Sequence, residues 1–204
     1  CPMTTLRSPP TPASAATFTV TNTDDSGAGS LRWAITQSNA TSSNDQIVFN
    51  AGANGTITLA SPLPQLVSAG GNLTITGNGA ANTIIDGANQ HQPFRAQWQA
   101  GSTITIRRMT IRNGRADQLQ GGAIYAFAIG SLNIEEVEFI GNTATYDGGG
   151  VYAVTSSLRI ENSLFEGNQS TTHGNALFVE GASAMIRNST FTRNQGAQSM
   201  VRFN

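Results

Sequence analysis

From about residue 45 onward the chain repeats one pattern, short apolar stretches separated by Gly and Asn. Examples are IVF at 47–49, TITL at 56–59, LTIT at 73–76, TIID at 83–86 and TITI at 103–106. Apolar and polar positions alternate within each, as in Leu132/Ile134 and Val137/Phe139, and β-branched residues are frequent. That alternation predicts strands. Only one stretch reads as a helix. In TDDSGAGSLRWAITQSNATSSND, Leu31, Ala34, Ile35 and Ser38 fall at helical spacing, after Ser/Gly and before an Asn/Ser/Thr stop. This predicts a single amphipathic helix of about ten residues. The alternating TFTVTN at 17–22 precedes it as a strand. Residues 1–16 hold four of the seven prolines and no apolar period, so they read as an extended tail.

Self-comparison explains the pattern. Phe139, Phe165 and Phe191 recur every 26 residues, as do Asn142/168/194, Ile134/160/186 and Ser131/157/183. Ile106 and Ile111 precede Ile134 and Phe139 by 28, and Tyr125, Tyr152 and Phe178 follow one another at 27 and 26. A fixed period in this range means a solenoid. Such a repeat holds about three strands of four to six residues with their turns, which is one coil of a parallel β-helix. Equivalent residues then stack about 4.8 Å apart, and about six coils make a rod of about 30 Å. The expected fold is all-β, a right-handed parallel β-helix with a short N-terminal capping helix. Its segments are a tail at 1–16 and a β-helix domain at 17–204, with the cap at about 24–44.

The copies Phe139-x-x-Asn142, Phe165-x-x-Asn168 and Phe191-x-x-Asn194 match an FxxN motif, and Gly121-Gly122-Ala123-Ile124 matches GGAI. Gly149-Gly150-Val151 and Asn175-Ala176-Leu177 are looser copies. Together they resemble the polymorphic outer-membrane protein repeats of bacterial surface adhesins, within the pectin-lyase-like right-handed β-helix superfamily. SGAGSLRWAI resembles the N-terminal cap of such surface proteins. The resemblance spans residues 17–204 and implies the fold. For function it implies a range, because the superfamily includes lyases, hydrolases, adhesins and structural proteins.

In that fold the Phe positions stack as a core ladder. The Asn positions form a turn ladder whose amides donate to the next coil's carbonyls. The Gly pairs serve turns that need positive φ or close backbone approach. An outward column runs Arg107, Glu135, Glu161, Arg187, with Arg107 expected to pair with Glu135 and Glu161 with Arg187. Its two adjoining carboxylates are also the pattern of glycoside hydrolysis, which requires unlike surroundings for the two groups. A second column, Gln120, Asp147 and His173, precedes the glycines. It reads as turn chemistry, with an Asp–His ligand contact or general base as the alternatives. His91 lies in a polar loop. Arg107, Arg108, Arg112 and Arg115 fall within one coil. Arg107 and Arg108 face different ways or meet at a bend, while Arg112 and Arg115, joined by Asp117, are candidates to line a groove for an anionic sugar.

Composition narrows the chemistry. The 204 residues carry 11 basic and 12 acidic groups, so no broad basic patch for nucleic acid or anionic membrane is expected. Every basic residue is Arg, and without Lys neither Schiff-base chemistry nor a phosphate-loop Lys is available. Cys1 is the only cysteine, which excludes an intrachain disulfide and a Cys-based metal site. No run of apolar residues reaches the roughly 18 of a membrane helix. The acidic residues Asp45, Asp86, Asp117 and Asp147 are scattered, unlike the clustered Ca²⁺ ligands of pectate-lyase-like enzymes. No catalytic, cofactor-binding or metal residue is therefore assigned, and no cofactor is expected.

The ends complete the reading. The helix around Leu31–Ile35 caps one end, and MVRFN with apolar Met200, Val201 and Phe203 leaves the other uncapped. Open edges recruit strands. The 16-residue tail can extend about 50 Å at roughly 3.3 Å per residue, enough to reach a neighbour. The expectation is a non-catalytic extracellular or cell-surface structural protein that self-assembles head to tail or acts as an adhesin, with itself and surface polysaccharide as partners. A polysaccharide lyase or hydrolase and a carbohydrate-binding β-helix are the alternatives. Cys1 before a Pro/Thr/Ser linker resembles a mature bacterial lipoprotein, with a processing end as the other reading.

Overall fold

The computed structural model describes residues 15–67 and 71–204. Cys1 and nearly all of the expected tail lie outside the described residues. The rest is a parallel β-solenoid of about seven turns with one short α-helix near its start. One column of side chains runs through every turn: Phe18, Ile47, Ile75, Ile106, Ile134, Ile160 and Ile186 are successive Cα partners in parallel strands. The repeats from residue 45 onward suggest about six coils. The additional one is the strand Thr17–Val20, which pairs with Asp45–Phe49. The helix lies between these two strands in sequence, so this turn falls outside the regular period.

The turn carried by Ile124–Ile140 shows how a coil is built. Ile124–Phe127, Ser131–Glu135 and Val137–Ile140 pair with the equivalent residues of the preceding coil, and the two-residue strand Thr143–Ala144 adds a fourth, short side. Ala128 (φ 53°), Glu136 (φ 54°), Gly141 (φ 61°) and Gly148 (φ 70°) sit in left-handed conformation at the bends. A single left-handed residue reverses the local curl and turns the strand without a long loop. The Glu136 bend recurs at Arg108, Asn162 and Asn188, all with positive φ.

Inside the rod, Ile47 to Ile160 of the column and the Phe139 and Phe165 rungs of the Phe ladder are buried, while Ile186 and Phe191 in the last coil are half-buried. Phe139 and Phe165 stack with centroids 4.6 Å apart, as do Phe165 and Phe191. The glycine motif has two separate causes. Gly121, Gly148 and Gly174 take φ 71°, 70° and 62°. A Cβ on Gly122 would instead lie 2.1 Å from the Gly149 carbonyl oxygen, so that position needs a missing side chain rather than a special φ.

The helix Leu31–Asn39 is held at its start by Ser30, whose hydroxyl accepts from the Trp33 amide. It buries Leu31, Ala34 and Ile35 against the strands Thr17–Val20 and Asp45–Phe49. Transfer from water contributes roughly 1.5–3 kcal/mol for each large aliphatic side chain so buried. Asp45 fastens the helix exit to the first turn, accepting hydrogen bonds from Ser38, Thr41, Ser43 and the Ala16 amide. Burial disfavours its charged form, but these donors outweigh burial and hold its pKa below the ordinary carboxylate value. At the far end, Val201–Phe203 pairs with Leu177–Val179 on one side, and Met185, Met200 and Phe203 are exposed.

Candidate functional site

The three columns flagged by the sequence are brought together, and in each the polar groups bond to neighbouring coils. In the Asn ladder, Asn168 Oδ1 accepts from both the backbone and the side chain of Asn142, while its Nδ2 donates to the Phe139 carbonyl. Asn142 and Asn194 repeat this with Ile111 and Phe165. The amides thus donate to the preceding coil, opposite to the expected direction.

The outward column is in register: Arg107, Glu135, Glu161 and Arg187 are consecutive partners. Arg107 reaches Glu135 at 4.0 Å. The expected Glu161–Arg187 pair is not formed. Arg159, two residues before Glu161 on the same face, bridges Glu135 at 2.9 Å and Glu161 at 2.6 Å. Both carboxylates are thus committed to guanidinium, Glu135 to two and Glu161 to one, so neither is left as a free acid or base facing the other. Asp147 and His173 do meet, at 3.2 Å, and the same Asp147 oxygen accepts from the Thr172 hydroxyl and the His173 amide. That is a cap on the next coil's turn.

The arginines separate. Arg108 occupies the bend and faces Glu136 at 3.8 Å. Arg112 binds Asp86 at 2.7 Å. Burial opposes the charge on Asp86, but the Ala88 amide, Arg112 and Asn113 lower its pKa below the ordinary value. Arg115 lies 2.6 Å from Asp117, and both line a cleft of about 280 Å³. His91, Arg95, Gln65 and Gln92 line the same cleft. The segment around Pro62–Val67 forms one wall because the Leu66 amide donates to the Arg95 carbonyl and Gln65 bonds Gln97. Arg95 is oriented by the Tyr125 ring, 4.7 Å from its centroid, and by Gln97.

The cleft is the candidate site. Two guanidiniums and several amides offer hydrogen bonds to a hydroxylated or anionic ligand, while His91 and Asp117 are its titratable groups. The sequence grouped Arg112, Arg115 and Asp117 and left His91 in a polar loop; the structure brings His91 to Arg115 and Asp117, while Arg112 is taken by Asp86. Arg95 and Gln65 were missed. Their signal was weak, because Gln65 reaches the site only through a loop that crosses from an earlier turn. Among the described residues no group of three or more His, Cys, Asp or Glu is placed to hold a metal ion, and no helix is long and apolar enough to cross a membrane.

Comparison with known proteins matches residues 33–202 to a family model described as the right handed beta helix region. No curated protein and no solved structure matches the chain. The matched segment covers the stack of parallel strands from Asp45 to the last coil, and the chain belongs to the right-handed β-helix family.

Proposed function

We propose that this β-helix is a non-catalytic structural rod of the cell surface or extracellular space, working through its surfaces. The observation that supports this reading most directly is the Glu135–Arg159–Glu161 bridge. The carboxylate pair that matched the glycoside pattern is taken up in ion pairs, Glu135 with Arg107 and Arg159, and Glu161 with Arg159. The surface location rests on the resemblance of the FxxN and GGAI repeats to adhesin repeats. In the adhesin form of this role the rod displays its faces to a receptor or surface polysaccharide. In the assembling form, the last coil of one copy adds in register to the first turn of another, and exposed Met200 and Phe203 become covered.

The test pairs two assays on the 204-residue chain. A panel of uronates and neutral glycans is scanned for unsaturated products by absorbance and for new reducing ends. No turnover is expected, and turnover abolished by Arg115→Ala or His91→Ala overturns the reading. Negative-stain images at high concentration are expected to show end-on rods for the assembling form. One observation favours a second reading, a carbohydrate-active or carbohydrate-binding β-helix: the cleft presents Arg95 and Arg115 beside His91.

A further inference from the structure

Trp98 is 71% exposed, the most exposed large apolar side chain among the described residues, and it sits at a bend with φ 60°. Left-handed backbone is costly for a bulky residue, of order 1 kcal/mol or more. Its ring meets Phe127 edge-on, with centroids 4.9 Å apart, and does not fold onto the rod.

The same corner changes from coil to coil. Gln97 pairs with Phe127 and Gln99 with Ile129, which places Trp98 over Ala128, itself at φ 53°. In the following coil the register shifts between Val154 and Thr155, so that coil has no residue at this position. The column therefore runs indole, methyl, gap. Below the indole this leaves a groove of about 260 Å³, lined by Ala128, Ile129 and Val154 together with Thr155, Ser156 and Glu180. At roughly 30 Å³ per water, that is room for about nine waters. Its exposed lining is more apolar than polar, with two hydroxyls and one carboxylate among it.

A knob and a matching hole thus lie on one face of one chain, and the knob does not occupy its own hole. We propose that this face pairs with a second copy of the chain in antiparallel fashion, each Trp98 entering the other's groove. A two-fold arrangement makes both contacts at once and closes at two copies. The occupant is argued from its chemistry. An indole has an apolar body and one N–H donor, and the groove offers aliphatic walls and the Glu180 carboxylate as acceptor. A sugar ring would require several free hydrogen-bonding groups, whereas the larger part of this lining is apolar and the Thr155 hydroxyl already donates to the Ser157 carbonyl.

The experiment is sedimentation velocity of the 204-residue chain from micromolar to millimolar concentration, with tryptophan emission recorded alongside. Trp98→Ala removes the knob. Ala128→Trp fills the hole, and its backbone tolerance is shown one coil earlier by Trp98 itself. Circular dichroism checks that both variants remain folded. Wild type is expected to show a species of twice the monomer mass with blue-shifted emission. Each variant alone loses it, and an equimolar mixture regains part of it, because one knob and one hole remain complementary. A two-copy species that persists in both variants overturns the proposal, as does a wild type without that species. Quenching of monomer emission by oligosaccharides, lost in Trp98→Ala, also overturns it and assigns the groove to a glycan. End-on assembly of rods differs in being open-ended and insensitive to Trp98→Ala.

Discussion

Asn168 Oδ1 accepts two hydrogen bonds from Asn142, one from its backbone amide at 3.0 Å and one from its side chain at 2.9 Å. Both residues are fully buried. Asn168→Ala removes the acceptor of the Asn142 backbone amide and the side-chain donor to the Phe139 carbonyl. The orphaned buried amide costs about 1–3 kcal/mol and each further lost hydrogen bond about 1 kcal/mol, so a loss of roughly 2–5 kcal/mol is expected. Equilibrium urea unfolding measures it. A loss below about 0.5 kcal/mol would show that the ladder is ornamental.

The Phe ladder gives a graded expectation. Phe165 has ring partners on both sides and is fully buried, whereas Phe191 is a half-buried rung stacked on Phe165 alone. Phe165→Ala should cost about 3–5 kcal/mol. Phe191→Ala should cost visibly less, because the cavity it leaves opens to solvent. Equal shifts in denaturation midpoint would contradict this order.

Gly122 of the GGAI copy and Gly141 of the first FxxN copy should respond differently to a methyl group. Gly122→Ala places Cβ 2.1 Å from backbone oxygen in the next coil and should prevent a stable fold. Gly141→Ala meets only the tip of the Asn113 side chain, 3.7 Å away, and its penalty is that of a left-handed alanine, about 1–2 kcal/mol. Thermal melts of the two variants should separate widely; coincident melts would count against the close-approach explanation.

Stability should fall at both pH extremes. Asp45 and Asp86 have pKa values lowered in the folded chain, so their contribution is present above the unfolded value of about 3.9. It is lost as pH falls below that value toward and through the lower folded pKa. Tyr152 is the opposite case. Burial first, then the nearby charges of Glu180, Tyr125 and Asp147, push its pKa up to about 12. Its contribution is complete below about pH 10, the unfolded value, and is lost as pH rises through 12. Melting temperature against pH should show both limbs. Replacing Tyr152 with Phe should flatten the alkaline one, and an unchanged alkaline limb would refute the assignment.

How much was legible depends on whether a feature is carried by the repeat. Ile134, Phe139 and Asn142 recur with their neighbours at one spacing, and a solenoid converts constant spacing into contact. The core ladder, the Asn ladder and the outward Arg/Glu column were therefore readable before any coordinates. The pairing of Arg159 with two glutamates was not, because Asn133 holds the equivalent place one coil earlier and no repeat announces it. Trp98 was silent for a related reason: it stands once, over an alanine and then a gap.

By itself the sequence determined the architecture, the helix at Leu31–Asn39 and the stacking of its repeated residues. Each follows from local alternation and a period that strand spacing must satisfy. The tertiary structure alone decided where non-repeating residues meet. The segment before Val67 crosses to Arg95 and builds the cleft, a register slip at Val154 opens the groove, and the amides of Asn142 and Asn168 turn back toward the preceding coil. These depend on bends and slips, and a one-residue slip moves side chains between faces without altering the apolar pattern that specifies the rod.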